Sequence, residues 1–172
     1  ITKYGLKMDY FVGGKTGTTY DAGLCLASIA TYNGVSYMLV TAGAPYPSYG
    51  PHHLVDAKTI YEYYMSNFEN KILVEKEEPL ISISTDYGKQ KEITFYAEEE
   101  IKKYLPLNFS KQDLTYSYEG LDQISANTKI GTYVGTMNLL YQGEILASIA
   151  LYLNETIEFS LVRYLWFYKE QI

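Results

Sequence analysis

Asn33-Gly34 stands between two apolar runs, Ala22 to Thr31 and Val35 to Gly43. Both residues tolerate positive φ, which the tight turns that match strand twist demand. The dipeptide therefore commits the segment to an antiparallel hairpin. The stretch just before it, around Gly14-Lys15-Thr16-Gly17-Thr18, reads as a further strand feeding that hairpin. Ala44 to His53 carries three prolines and a glycine, the composition of a loop. From Leu54 to Phe68 the period changes. Leu54, Ala57, Ile60, Tyr61, Tyr64, Met65 and Phe68 recur at three- and four-residue spacing, which predicts a helix with one apolar stripe. A helix laid on antiparallel strands is an α+β arrangement.

Near Asn70 the texture changes again. Short runs alternate with turns: Lys71 to Lys76, Leu80 to Ser84, Glu92 to Ala97, Leu114 to Tyr118, Gly131 to Tyr141 and Ile145 to Leu153. Leu114 to Tyr118 alternates with period two, as a half-buried strand does, and Tyr141-Gln142-Gly143-Glu144 reads as a hairpin turn. Strands at this spacing predict a small all-β sandwich. The expected organisation is three parts: residues 1–70, a β domain over 71–160, and an aromatic tail over 161–172. Glu75 to Glu78 and Glu98 to Glu100 are charge runs, expected on solvated faces. The tail, from Leu161, sets Tyr164, Leu165, Trp166, Phe167 and Tyr168 between Arg163 and Lys169. It reads either as a last element packed on the sandwich or as a juxtamembrane segment, since Trp and Tyr favour the headgroup layer and cations flank them.

Composition narrows the function classes. A formal charge of −6 argues against a nucleic-acid partner, whose phosphates it would repel. The 20 tyrosines point to strands with half-wet aromatic faces. Cys25 is the only cysteine, lies in an apolar run and reads as a buried structural thiol. No run reaches the length of a membrane span, and no export signal is visible. His52 and His53 are adjacent in the Pro-rich loop, but no Cys or acidic residue stands at ligand spacing, so solvent-exposed loop histidines are expected. Neither a metal nor another cofactor is expected.

Gly14-Lys15-Thr16 also has the look of a phosphate-binding loop. That motif requires a glycine five positions ahead of Gly14, where Asp9 stands, and a helix after it, where a strand is expected. Lys-Thr-Gly opening a strand suits a different ligand. An ammonium is a positive anchor for a carboxylate, and a threonine hydroxyl adds a directed hydrogen bond. A glycine lets an extended peptide lie close against the strand, and pairing with an exposed edge is strand addition.

The stretch Gly13-Gly14-Lys15-Thr16-Gly17-Thr18-Thr19-Tyr20-Asp21-Ala22-Gly23-Leu24-Cys25-Leu26 closely resembles the D-alanyl-D-alanine carboxypeptidases, the low-molecular-mass penicillin-binding proteins of the serine transpeptidase fold. Met38-Leu39-Val40-Thr41-Ala42-Gly43-Ala44-Pro45 and the helix after it resemble that family's last catalytic-domain elements. Lys129-Ile130-Gly131-Thr132 and Tyr141-Gln142-Gly143-Glu144-Ile145-Leu146-Ala147 resemble the end of its C-terminal β domain. The resemblance implies that residues 1–70 are the C-terminal part of a catalytic domain, whose N-terminal part lies upstream of Ile1 and is a partner of this segment. It implies that Lys15, Thr16 and Gly17 are active-site residues. Lys15 and Thr16 would bind the terminal carboxylate of a peptidoglycan stem peptide ending in D-Ala-D-Ala, or the equivalent group of a β-lactam, with Gly17 and Thr18 along the same wall. An upstream serine, activated by a lysine, would form the acyl-enzyme. The resemblance further implies an exported protein at the outer face of the bacterial cytoplasmic membrane, with the tail as a contact to the membrane surface. No Ser-x-x-Lys occurs in the 172 residues. Ser125-Ala126-Asn127 matches Ser-x-Asn but lies downstream, in the β domain, and is expected to be coincidental. Some members carry an arginine after the hairpin; here His52 and His53 occupy that region instead.

Overall fold

The computed structural model describes residues 4–46 and 50–169. The chain divides into two compact units, Ile1–Glu69 and Asn70–Ile172.

In the first unit, β1 (Phe11–Thr19), β2 (Gly23–Tyr32) and β3 (Val35–Ala44) form an antiparallel sheet in the order β1-β2-β3. The turn between β2 and β3 is the expected one: Asn33 and Gly34 have φ of 48° and 76°. Helix α1 (His52–Asn67) covers one face of the sheet. Alternation along β2 sends Leu26 and Ala30 toward Leu54, Ala57 and Tyr61 of the helix, and the Ser28 and Tyr61 hydroxyls meet at 2.9 Å. The helical stripe is narrower than its periodicity suggests. Tyr64 is exposed, and Phe68 leaves the helix to open the next strand, because only about one turn-face of α1 reaches the three-stranded sheet.

The other face of that sheet has no covering layer among the described residues. Ile29 stands opposite Met38, and Ala27 opposite Val40. Met38 and Val40 are 81% and 68% exposed.

The second unit encloses its own core. β4 (Phe68–Val74) pairs with β7 (Ile101–Pro106). β5 (Pro79–Asp86) lies between β6 (Glu92–Tyr96), antiparallel to it, and β9 (Gln123–Ser125), parallel to it. β10 (Tyr133–Tyr141) lies between β8 (Leu114–Gly120) and β11 (Glu144–Tyr152). Leu73, Val74, Ile83, Ile93, Ile124, Leu139, Leu153 and Ile157 meet in one fully buried cluster. Turn Gln142-Gly143 has φ of 52° and 85°, the left-handed pair that joins β10 to β11. Two strands escape the sequence pattern: β7, entered straight from the Glu98–Glu100 run, and β9, three residues held by a parallel pairing to β5.

The tail forms helix α2 (Leu161–Lys169), and Arg163 does not flank it as a free cation. Its guanidinium donates to the carbonyl oxygens of Thr85 (3.1 Å), Gly88 (2.6 Å) and Gln90 (3.0 Å) and to Thr85 Oγ1 (3.1 Å). Gly88 bridges to Phe159, and Ser160 N–H donates to the Tyr87 carbonyl, so the entry to α2 is tied to the end of β5. A side chain at Gly88 would meet Ile157 Cγ2 at 2.5 Å, which is why glycine stands there. Leu161, Val162, Leu165 and Trp166 of α2 are exposed. Residues 170–172 of the tail lie outside the described residues, and no helix described is long and apolar enough to cross a membrane.

Candidate functional site

Strand β1 is an edge strand, so one side of its backbone is unpaired within the sheet. Its pairing with β2 fixes where each side chain goes. Lys15 is opposite Ala27 and Gly17 opposite Cys25, on the face away from α1. Thr16 is opposite Leu26 and Thr18 opposite Leu24, on the face that α1 covers farther along the sheet. All four residues are exposed. Lys15 and Thr16 thus stand on opposite faces of this edge strand, while Thr16 and Thr18 share a face. The Lys15 ammonium donates to the carbonyl of its own neighbour Thr16. It is not buried in an ion pair, so its charge faces solvent.

The glycines of β1 separate by cause. A Cβ on Gly14 would meet the Ala27 carbonyl oxygen at 2.8 Å and Ser28 Cβ at 3.0 Å, so Gly14 is set by packing within the sheet. A Cβ on Gly17 would meet nothing within 4 Å. A glycine inside a strand weakens it by roughly 0.5–1 kcal/mol, and nothing inside this unit requires one at Gly17. The space it leaves opens on the face that carries Lys15.

The far end of β1 is pinned. Tyr46 Oη donates to the Thr19 carbonyl at 3.0 Å, and Ala22 N–H donates to Thr19 Oγ1 at 3.0 Å. Gly23, at φ 63°, turns the chain into β2 where a Cβ would strike the Ala44 carbonyl oxygen at 2.7 Å. These contacts hold the strand that carries Lys15 and Thr16 in register, the rigidity that a directed contact to a ligand requires. Cys25 is half-buried rather than buried. It sits on the open face, and its thiol lies 3.4 Å from the Ala22 carbonyl oxygen.

The histidines correct the loop expectation. Both belong to α1, and His53 is 8% exposed, turned in with Leu54 at the start of the helix. Its Nδ1 has no hydrogen-bond partner, and burial pushes its pKa below the usual histidine value, with the Asp56 charge opposing. Helix periodicity could have flagged His53, since it lies four residues before Ala57 on the buried side. Among the described residues no three His, Cys, Asp or Glu side chains come together.

Two other shifts mark local packing. Burial, with the Glu62 carboxylate next, pushes the Tyr10 phenol up to about 12. A hydrogen bond from Lys111 holds the Glu78 carboxyl below its ordinary range. Ser125-Ala126-Asn127 is structural: Ser125 ends β9, its carbonyl accepts Thr128 N–H at 3.1 Å, and Asn127 takes φ 72°.

An edge strand bearing Lys-Thr-Gly, a sheet with one bare face, and a closed β unit after it define the class: a penicillin-binding-protein-like α+β chain ending in an all-β domain. The chain belongs to the penicillin-binding protein 5, C-terminal domain family, whose model matches residues 68–158. It is 27% identical over 135 residues to the D-alanyl-D-alanine carboxypeptidase DacF of Bacillus subtilis (strain 168), covering 78% of this chain and 34% of that protein. Among solved structures it is similar to the D-alanyl-D-alanine carboxypeptidase DacD of Francisella tularensis, with a TM-score of 0.65 and 25% identity over 90% of this chain and 38% of that one. Penicillin-binding protein 5 of Haemophilus influenzae (TM-score 0.56, 22% identity, 82% of this chain, 41% of that one) shares the fold. So does a peptidoglycan synthesis regulatory factor, PBP3, of Streptococcus pneumoniae (TM-score 0.59, 21% identity, 90% and 46%). The chain spans about a third of the curated relative it matches.

Proposed function

We propose that residues 1–70 are the last elements of the catalytic domain of a serine-type D-Ala-D-Ala carboxypeptidase, and that residues 71–160 are its C-terminal β domain. In this reading the enzyme removes the terminal D-Ala from peptidoglycan stem peptides through an acyl-enzyme and is trapped by penicillin at the same step. The observation that carries it is the free edge of β1: Lys15, Thr16 and Thr18 are exposed along it, and Gly17 leaves room no residue of the unit fills. A stem peptide would lie along this edge as an added strand. The Lys15 ammonium would sit against its terminal carboxylate and the Thr16 hydroxyl would donate to it. The bare face with Ile29, Met38 and Val40 would pack against the N-terminal part of the domain, which supplies the serine and its lysine.

The work would take place outside the cell, at the outer face of the cytoplasmic membrane, where the substrate is. The exposed apolar side chains of α2 would rest on the membrane surface, driven by apolar burial, since Arg163 is occupied by carbonyl oxygens.

The test is acylation of the full-length protein by a fluorescent penicillin. Lys15→Ala should slow labelling by about 100-fold or more, as loss of one charged anchor at a reacting centre does. Residues 1–172 alone, which contain no Ser-x-x-Lys, should take no label. A full-length protein that is never labelled would sink the assignment. A second reading, in which the β domain is a spacer or wall-docking module, is favoured by its self-contained core. Removing residues 70–172 separates the two: unchanged activity on soluble peptides with altered activity in cells supports the spacer.

A further inference from the structure

We propose that the free edge of β11 is a docking site for an extended, lysine- or arginine-bearing segment of a partner protein, bound by strand addition. The proposal lies wholly within the second unit and does not depend on the catalytic reading.

β11 is the edge of its sheet, with β10 on one side and no strand on the other among the described residues. Ala147 to Leu151 pair with Leu139 to Gly135 in unbroken register, between two irregularities. Edge strands are ordinarily blunted by charge, proline or a bulge. From Ile145 to Tyr152 this one carries none of the charged side chains or prolines that serve that purpose. It is an uncharged edge with five residues in regular register.

A groove of about 310 Å³ runs along it, near the lower end of volumes that hold a ligand, roughly 300 Å³. Its one wall is Ser148 through Tyr152 without a gap. Alternate side chains of a strand point to opposite faces, so five consecutive residues can line one groove only if the groove meets the strand edge-on. What the groove offers there is the backbone of β11, and only an extended chain matches the spacing of those groups. Its other wall is Phe95 through Ile101, the bend from β6 into β7. Glu98, Glu99 and Glu100 stand on that wall and are exposed. Glu100 is paired with Lys102, and no lysine or arginine lines the groove. Two carboxylates are left to face an incoming chain, which selects a cationic one. A second copy of this chain, β11 against β11, would bring two acidic walls together and is disfavoured by like charge. Part of the acidic run that the sequence assigns to a merely solvated face thus becomes the charged lip of a strand-binding groove.

The test uses the 172-residue chain, amide-resolved NMR, and three capped octapeptides: alternating Lys/Val, alternating Glu/Val, and Lys/Val with every backbone amide N-methylated, so that neither edge can donate. The Lys/Val peptide should shift the amides of residues 147–151 and protect from exchange those of them that point to the free edge and do not already donate to β10. Glu98→Gln/Glu99→Gln should weaken it about tenfold, as should a rise in salt. The Glu/Val and N-methylated peptides should not bind. If the N-methylated peptide binds as well as its parent, the site is a charge patch and the proposal fails. It fails equally if shifts appear away from β11, if millimolar Lys/Val peptide shifts nothing, or if the free chain protects these amides by dimerising through them.

Discussion

The two units solve the same problem differently. Both lay strands against a core, but the second closes its core from all sides, with Leu73, Val74, Ile124, Leu139 and Leu153 wholly buried. The first buries Leu26, Ala30, Leu54, Ala57 and Tyr61 against one helix and leaves Met38 and Val40 on a bare face. A sheet with an apolar face must cover it. The difference teaches that the second unit encloses its core, whereas the first leaves one apolar sheet face uncovered among the described residues. Its most exposed strand, β1, is also the one that carries the polar motif.

Core truncation should expose that difference most strongly. Leu139→Ala should cost the second unit about 3–4 kcal/mol in chemical unfolding. Met38→Ser should cost the first unit nothing measurable in this chain and should make it more soluble. Equal losses would break the contrast.

Next in size is Arg163→Ala. Several backbone carbonyls lose their donor at once, and unfolding of the second unit should become easier by about 2 kcal/mol. Arg163→Lys should recover only part of this, since one ammonium cannot span Thr85, Gly88 and Gln90 as the planar fork does.

The glycines of β1 sharpen the comparison within a single strand. Gly14→Ala should destabilise the first unit by about 1–2 kcal/mol through its clash with the β2 backbone. Gly17→Ala should leave folding unchanged or gain about 0.5 kcal/mol. In full-length protein it should nevertheless slow penicillin acylation. Identical behaviour of the two would remove the case that Gly17 is kept for a ligand.

The smallest effect is a slope with pH. His53 has a depressed folded pKa, so below its unfolded value near 6.5 the unfolded chain binds more protons than the folded one. Stability of the first unit should therefore be full above that value and decline as pH falls toward the folded pKa. His53→Gln should flatten the decline, as followed by denaturant titrations between pH 7 and 5. The second unit, whose buried polar groups are Thr85 and Asn138, should lack a histidine-linked slope.

Local chemistry was legible in the sequence, and long-range pairing was not. Asn33-Gly34 and Gln142-Gly143 announce their turns because positive φ is a property of those residues. The α+β class followed from periods of two and three to four. β9 was hidden because three residues make no pattern, and its partner β5 is nearly forty positions away, at Ser84 opposite Gln123. His53 is misjudged when it is read from its sequence neighbours, since its fate is set by what folds over it; for the tail, the reading as a last element packed on the sandwich is the one that Arg163 supports. For Lys15 and Thr16 the sequence gives residue types, spacing and, for a strand, opposite faces, but only the register with Ala27 and Leu26 shows which of the two shares the face of α1.

The tie between α2 and β5 has a mechanical consequence. Tension applied to the terminal helix is delivered through Arg163 and the Gly88–Phe159 bridge to the end of β5. That strand lies in the middle of its sheet, with β6 and β9 on either side. Part of the load then falls on a strand held by two ladders of hydrogen bonds, rather than all of it on β11, the edge strand that precedes the helix in the chain.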